Sequence, residues 1–217
     1  MSTQHRDERD LLTKLDRLEK RSQADHGTVF NNLGHLINIE MLRLCYHGLD
    51  GSKAVGIDGM TKEMYAKTLA ENLDWLLKRI RSGSYHPKVA RIHEIEKSDG
   101  TMRPLAISCF EDKIVQDAVK RILERIYEPI FLNCSHGFRP KRGCQTALVA
   151  LDHHLKGRSC GAILEIDLQK CLNTIPHGPL TEWLKRKIAE ELDVDNIILR
   201  TILAQNTDLR LAFRADF

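Results

Sequence analysis

Two features of this chain have residue types and spacing that could do chemistry on a phosphate. The first is a lone acid, Asp167, at the end of GAILEID (161–167). Apolar residues run or alternate up to it, as in a buried strand, and the polar segment LQKCLNTIPH follows. An aspartate at the C-terminal end of a core strand projects into the space beyond the sheet. Two-metal phosphoryl-transfer sites place acids there to hold Mg²⁺. The plainer alternative is an aspartate that caps a turn or helix and closes the strand. The second feature is basic. Seven cations (Lys78, Arg79, Arg81, Lys88, Arg91, Lys97, Arg103) stand against three acids between 78 and 103, and Arg139, Lys141 and Arg142 form a knot in HGFRPKRGC. Such patches suit phosphate contact; solvated faces without a partner remain the alternative.

Several classes are excluded. With 217 residues, 42% hydrophobic and 29% charged, the chain reads as an ordinary globular protein able to bury a core. No apolar run is long enough to span a bilayer, and MSTQHRDERD has no signal-peptide core, so a cytoplasmic protein without a membrane partner is expected. The six cysteines show no CxxC spacing, which predicts free thiols rather than a zinc site. His153 and His154 diverge by about 100° on a helix and do not suit one metal ion. GLDGSKAVGIDG (48–59) lacks P-loop spacing and reads as a flexible connection.

The elements that must position these groups can be read from periodicity. Leu11, Leu12, Leu15 and Leu18 stripe a charged helix over 7–21 that packs on the body or on a partner. A helix is expected around 35–47. Thr61 caps another that carries Met64, Leu69, Leu73, Leu76, Leu77 and Ile80 and stops at Gly83. Alternation before Ser98-Asp99-Gly100, with a second strand over 102–107, predicts a β-hairpin. Residues 110–127 form an amphipathic helix ended by Pro129. A helix over about 144–156, a strand over 162–167, a helix from Pro179 to about Leu192 and one more beyond complete an α+β pattern.

Five stretches, in order, resemble the group II intron-type (retron-type or maturase) reverse transcriptases. They are GIDGMTKEMY (56–65), the hairpin SGSYHPKVARIHEIEKSDGTMRPLAIS (82–108), EDKIVQDAVKRILERIYEPIF (111–131), SHGFRPKRGCQTAL (135–148) and EIDLQKCLNTIPH (165–177). The resemblance covers about 50–190. It implies a right-hand polymerase with an N-terminal helical extension (1–47), a fingers-like region (48–160) and the first half of a palm (161–217). By position it makes Asp167 the first metal-binding aspartate, with the Leu168 carbonyl beside it on Mg²⁺. It makes Lys97 and Arg103 the contacts to the triphosphate of an incoming dNTP, a point charge and a fork of donors suited to that task. It places Leu172 at the ribose-discriminating position. Arg139, Lys141 and Arg142 fall in a block that resembles a template- or backbone-contacting region, with an internal ion pair the other reading for Arg139. The implied reaction is attack of a DNA primer's 3′-hydroxyl on a dNTP α-phosphate, templated by RNA.

The sequence departs from the family in two ways. Leu172 stands where a bulky aromatic is usual, which puts exclusion of the 2′-hydroxyl in doubt. The Tyr-x-Asp-Asp block is missing, and no Asp-Asp pair occurs anywhere in the chain. One carboxylate cannot hold two Mg²⁺ ions in a working geometry. The expectation is a fragment of a reverse transcriptase, inactive alone, whose missing aspartates a second polypeptide could supply. The rival readings are a non-catalytic module that binds intron RNA and a degenerate remnant.

Overall fold

The computed structural model describes residues 3–96, 98–156, 162–168 and 175–189. The fold is α+β: seven helices and a two-stranded antiparallel sheet among these residues. The helices are α1 (Thr3–Ala24), α2 (Ile39–Gly48), α3 (Lys62–Ala66), α4 (Leu69–Arg81), α5 (Phe110–Tyr127), α6 (Cys144–Leu155) and α7 (His177–Lys185), and the strands are β1 (Arg91–Glu96) and β2 (Met102–Ile107).

One core joins the helical half. The α1 stripe buries Leu11, Leu15 and Leu18 against α5, whose Ile114, Val115, Ala118, Ile122 and Ile126 face inward at helical spacing. Leu12, the fourth expected stripe residue, is 38% exposed. The same core takes Met41, Leu42 and Cys45 from α2 and Leu73, Leu76 and Ile80 from α4. Each buried Leu, Ile, Val or Met among them stabilises the fold by about 1.5–3 kcal/mol relative to exposure. The helix starts follow side-chain caps: Asn38 accepts from Met41 N at 2.9 Å and Thr61 from Met64 N at 3.2 Å. Gly83, at φ +69°, follows the end of α4 as expected.

Three expectations are corrected. The single helix from Thr61 is two, because the chain turns at Lys67–Thr68. The turn buries Tyr65 against Tyr46 and Phe110, at ring separations of 6.2 and 5.4 Å, leaves Met64 exposed, and lets Asn72 Nδ2 donate to the Tyr65 carbonyl at 3.0 Å. The strand expected over 162–167 is not formed: residues 162–168 have no regular structure, and Ile163, Leu164 and Ile166 are 73, 83 and 75% exposed. A strand needs a ladder partner for its N–H and C=O groups, and none is present among the described residues. The last described helix starts at His177 and stops at Lys185. The chain then meets the N-terminal region, where Phe30 N donates to the Lys187 carbonyl at 2.8 Å and Ala189 N to the Phe30 carbonyl at 3.0 Å. The helix expected beyond it lies outside the described residues.

Cys45, Cys109, Cys134 and Cys144 are free thiols, and Cys160 and Cys171 lie outside the described residues. Among the described residues no helix is long and apolar enough to cross a membrane.

Candidate nucleotide and nucleic-acid interface

The hairpin sorts its charges by face. The register pairs Arg91 with Ile107, His93 with Leu105 and Ile95 with Arg103, and these six share one side of the ribbon. Ile92, Glu94, Glu96, Met102, Pro104 and Ala106 share the other. Arg91, His93 and Arg103 therefore stand on a face without a carboxylate, and Glu94 and Glu96 stand behind it. The turn closes through Asp99 Oδ1, which accepts from Thr101 N at 2.9 Å, with Gly100 at φ +79°. Lys97 lies outside the described residues. Arg91 and His93 were not singled out as site residues from the sequence; the signal that would have found them is the two-residue period read in register with Arg103.

The ribbon is anchored at its base. Asp112, on the first turn of α5, accepts from the Tyr85 hydroxyl at 2.6 Å and from Lys88 N at 3.1 Å. Lys88 Nζ reaches Asp58 Oδ2 at 3.0 Å, and this hydrogen bond lifts the ammonium above its usual range. On the same helix turn, Glu111 accepts from Arg79. The glycine-rich loop is therefore held rather than free. Gly56 lies so close to Cys109 that an added Cβ would sit 2.6 Å from its Cα, so only glycine fits. Lys113 Nζ donates to the Ala54 carbonyl at 2.7 Å, and Lys62 Nζ to the Leu49 carbonyl at 2.5 Å. Burial, helped by the nearby Arg91, holds the Lys113 ammonium below its usual range against the pull of Cys109 and Asp58.

Burial pushes the Asp112 carboxyl above the usual carboxylate range, opposed by its hydrogen bonds from Tyr85 and Lys88. A carboxyl raised on folding adds stability that is full below its unfolded pKa and is lost as pH rises through its folded pKa. The stability advantage of the wild type over Asp112→Asn should thus grow as pH falls through that window. Urea midpoints of both proteins from pH 4 to 7 test this, and parallel curves would refute it.

The loop between α5 and α6 is built around Arg139. All five of its N–H groups are used: Nε and Nη2 on the Glu128 carboxylate at 3.1 and 2.8 Å, Nη1 on the carbonyls of Leu132 and Ser135 at 2.8 and 3.0 Å, and Nη2 also on the Glu128 carbonyl at 3.4 Å. Its side chain is 6% exposed, and the guanidinium lies over Phe131 at 5.2 Å. Of the two readings open for Arg139, the internal ion pair is the one formed here, with Glu128. Arg142 Nη1 donates to the Asn133 carbonyl at 2.6 Å and keeps a rim position. Lys141 is exposed at φ +60°.

Asp167 and Leu168 sit in the extended segment 162–168 and are exposed, and Leu172 lies outside the described residues. Among the described residues no group of three or more His, Cys, Asp or Glu side chains could hold a metal ion. His153 and His154 cross edge to face at 6.2 Å. Among the described residues Asp167 alone does not supply the donor set of a two-metal site.

The family model described as "Reverse transcriptase (RNA-dependent DNA polymerase)" matches residues 95–214, from the tip of β1 through the segment around Asp167. The chain belongs to the reverse transcriptase family. It is 32% identical over 192 residues to the group II intron-encoded protein LtrA of Lactococcus lactis subsp. cremoris, covering 88% of this chain and 32% of that one. It is 33% identical over 186 residues to a 91 kDa protein in the cob intron of Schizosaccharomyces pombe, covering 84% and 23%. An intron 1 protein of COX1/OXI3 from Saccharomyces cerevisiae is 30% identical over 184 residues, covering 85% and 22%. The resemblance to the group II intron type is borne out, and the chain spans about a third or less of the length of these relatives.

Proposed function

We propose that this chain is the fingers and the first part of the palm of a group II intron-type reverse transcriptase, divided at about 47 and 160 as the sequence indicates. It grips RNA template, DNA primer and the phosphates of an incoming dNTP, and nucleotidyl transfer requires the remaining palm. The observation that carries this reading is the charge-sorted hairpin at the start of the family match, anchored by Asp112, Asp58 and the glycine-rich loop. A cationic face on a ribbon anchored at its base can close over a triphosphate.

In this reading Lys97 and Arg103 take the dNTP triphosphate, Lys141 and Arg142 lie along the nucleic-acid backbone, and Arg139 shapes the loop that presents them. Asp167 and the Leu168 carbonyl would be this chain's share of a Mg²⁺ site, and the ion would supply Lewis-acid stabilisation of phosphate charge once the other carboxylates are present. The other carboxylates belong to the rest of the palm, on the same polypeptide or a second one. Leu172 leaves more room at the ribose than an aromatic ring, so ribonucleotides should compete better than in aromatic-bearing relatives.

Binding to single-stranded RNA should weaken steeply with salt. Changing Lys97 and Arg103 together to Ala should flatten the slope of log K against log salt by about 1.4, two phosphates' worth at about 0.7 each. Titrations at several salt concentrations measure this. An unchanged affinity and slope in the double variant would remove the hairpin from the interface.

A further inference from the structure

We propose that Phe138 is a base-stacking platform for single-stranded nucleic acid, with Lys141 and Arg142 on the adjoining phosphates. The inference rests on the nucleic-acid reading above and deepens it, because that reading assigns Phe138 no role.

Phe138 is 102% exposed, so its ring is presented whole to solvent. Burial is the default for a ring of this size. Its backbone is also left-handed, at φ +57°, as is that of Lys141, at φ +60°. Neither residue is glycine, and both conformations are disfavoured for L-residues. Between them Arg139 turns inward and has every donor satisfied. The loop is thus fixed from inside by one guanidinium while an aromatic ring and an ammonium are turned outward on either side of it.

The surroundings select the ligand. From Leu132 to Gly143 the loop contains no acid, and the nearest upstream carboxylate, Glu128, already pairs with Arg139. That leaves Lys141 and Arg142 without a carboxylate on the loop, and Arg142 is held in place by the Asn133 and Ser135 carbonyls. Other exposed rings nearby carry a guanidinium on one face: Phe131 under Arg139 and Trp183 under Arg186, each at 5.2 Å. Among the described residues Phe138 carries none. Its ring also forms one wall of an open groove of about 790 Å³, shared with Tyr127, Phe131 and Trp183, which leaves room for a base beside it; the two acids on that groove, Asp117 and Glu124, are paired with Arg121 and Lys120. A free π-face on a loop that carries cations and no acid is how sequence-tolerant single-strand binding is built. An apolar protein partner would fit the groove but would not use the cations.

The test is binding of the full chain to a fluorescein-labelled U12 RNA, followed by anisotropy at several salt concentrations. Phe138→Ala should weaken binding about 5- to 150-fold, the worth of one base stack, with the salt slope unchanged. Phe138→Trp should retain affinity, and Lys141→Ala should flatten the slope by about 0.7. Because the ring is fully exposed, Phe138→Ala should keep the wild-type circular dichroism. If Phe138→Ala binds like wild type while the Lys97 and Arg103 variant is weakened, the platform is wrong and the hairpin reading stands. If Phe138→Ala changes only the sedimentation of the chain, the ring belongs to a protein contact and the platform is wrong. If the wild type does not bind the RNA at low salt, both readings fall.

Discussion

Residues 1–217, given a primed RNA template, dNTPs and Mg²⁺, should extend no primer. Nucleotidyl transfer by two metals needs several carboxylate oxygens within a few ångströms, so that one ion activates the 3′-hydroxyl and the other clamps the leaving group. This chain has Asp167 and no Asp-Asp pair, and Asp167 stands exposed on an unpaired segment. Each 1.36 kcal/mol of lost transition-state stabilisation costs about tenfold in rate. Losing a clamp worth several kcal/mol puts extension below the reach of a sequencing gel. The same preparation should bind RNA in a salt-dependent way, which separates missing chemistry from misfolding. Extension by even one nucleotide above a no-protein control would show that the acids for catalysis are present after all.

Arg139→Ala should lower the free energy of unfolding by about 3 kcal/mol. Breaking a buried ion pair by removing one partner typically costs about 3–5 kcal/mol. The lower end applies because the Glu128 side chain keeps 27% exposure and can recover some hydration. The variant strands the Glu128 carboxylate and takes one donor from the carbonyls of Leu132 and Ser135, which keep Ser135 N and Arg142 Nη1. Arg139→Lys should recover only part of the loss, since a single ammonium cannot reproduce the fork. Urea unfolding followed by circular dichroism gives the number. A change below about 1 kcal/mol would class the pair with surface salt bridges. Reduced RNA binding by this variant would be indirect, through the loop that presents Lys141.

Most of the helical scaffold was legible in the sequence, because α1 and α5 bury stripes with strict helical spacing and the Ser98-Asp99-Gly100 turn sits between two alternating runs. The break between α3 and α4 was not, since Met64 and Leu69 fit a continuous helix as well as an interrupted one. What decides it is the burial of Tyr65 against Phe110, a contact 45 positions away in sequence. The expected strand before Asp167 failed for a related reason: alternation describes a strand's faces but does not provide the neighbour it must pair with. The same limit applies to α6, whose Leu148, Val149 and Leu151 are 50% or more exposed although their pattern reads as a core helix.

The basic patches were legible in the sequence as charge, and composition and motif order single out Lys97, Arg103, Lys141 and Arg142 as candidates. Arg139 looked like its neighbours, and its burial depends on Glu128 lying eleven positions upstream on the turn that ends α5. Asp112 gave no signal at all. An acid on the first turn of a helix is ordinary, and only the fold brings Tyr85 and Lys88 onto it.

The sorting of charge on the hairpin has a consequence for how fast, rather than how tightly, it would dock on a polyanion. A ribbon with cations on one side and carboxylates on the other carries a dipole across its thickness. In the field of a polyanion it experiences a torque that turns the Arg91–Arg103 side forward before any contact forms. Approach with Glu94 and Glu96 leading is repelled, so fewer encounters are wasted in the wrong orientation. Ionic strength, by shortening the reach of that field, should therefore slow productive arrival as well as loosen the final grip.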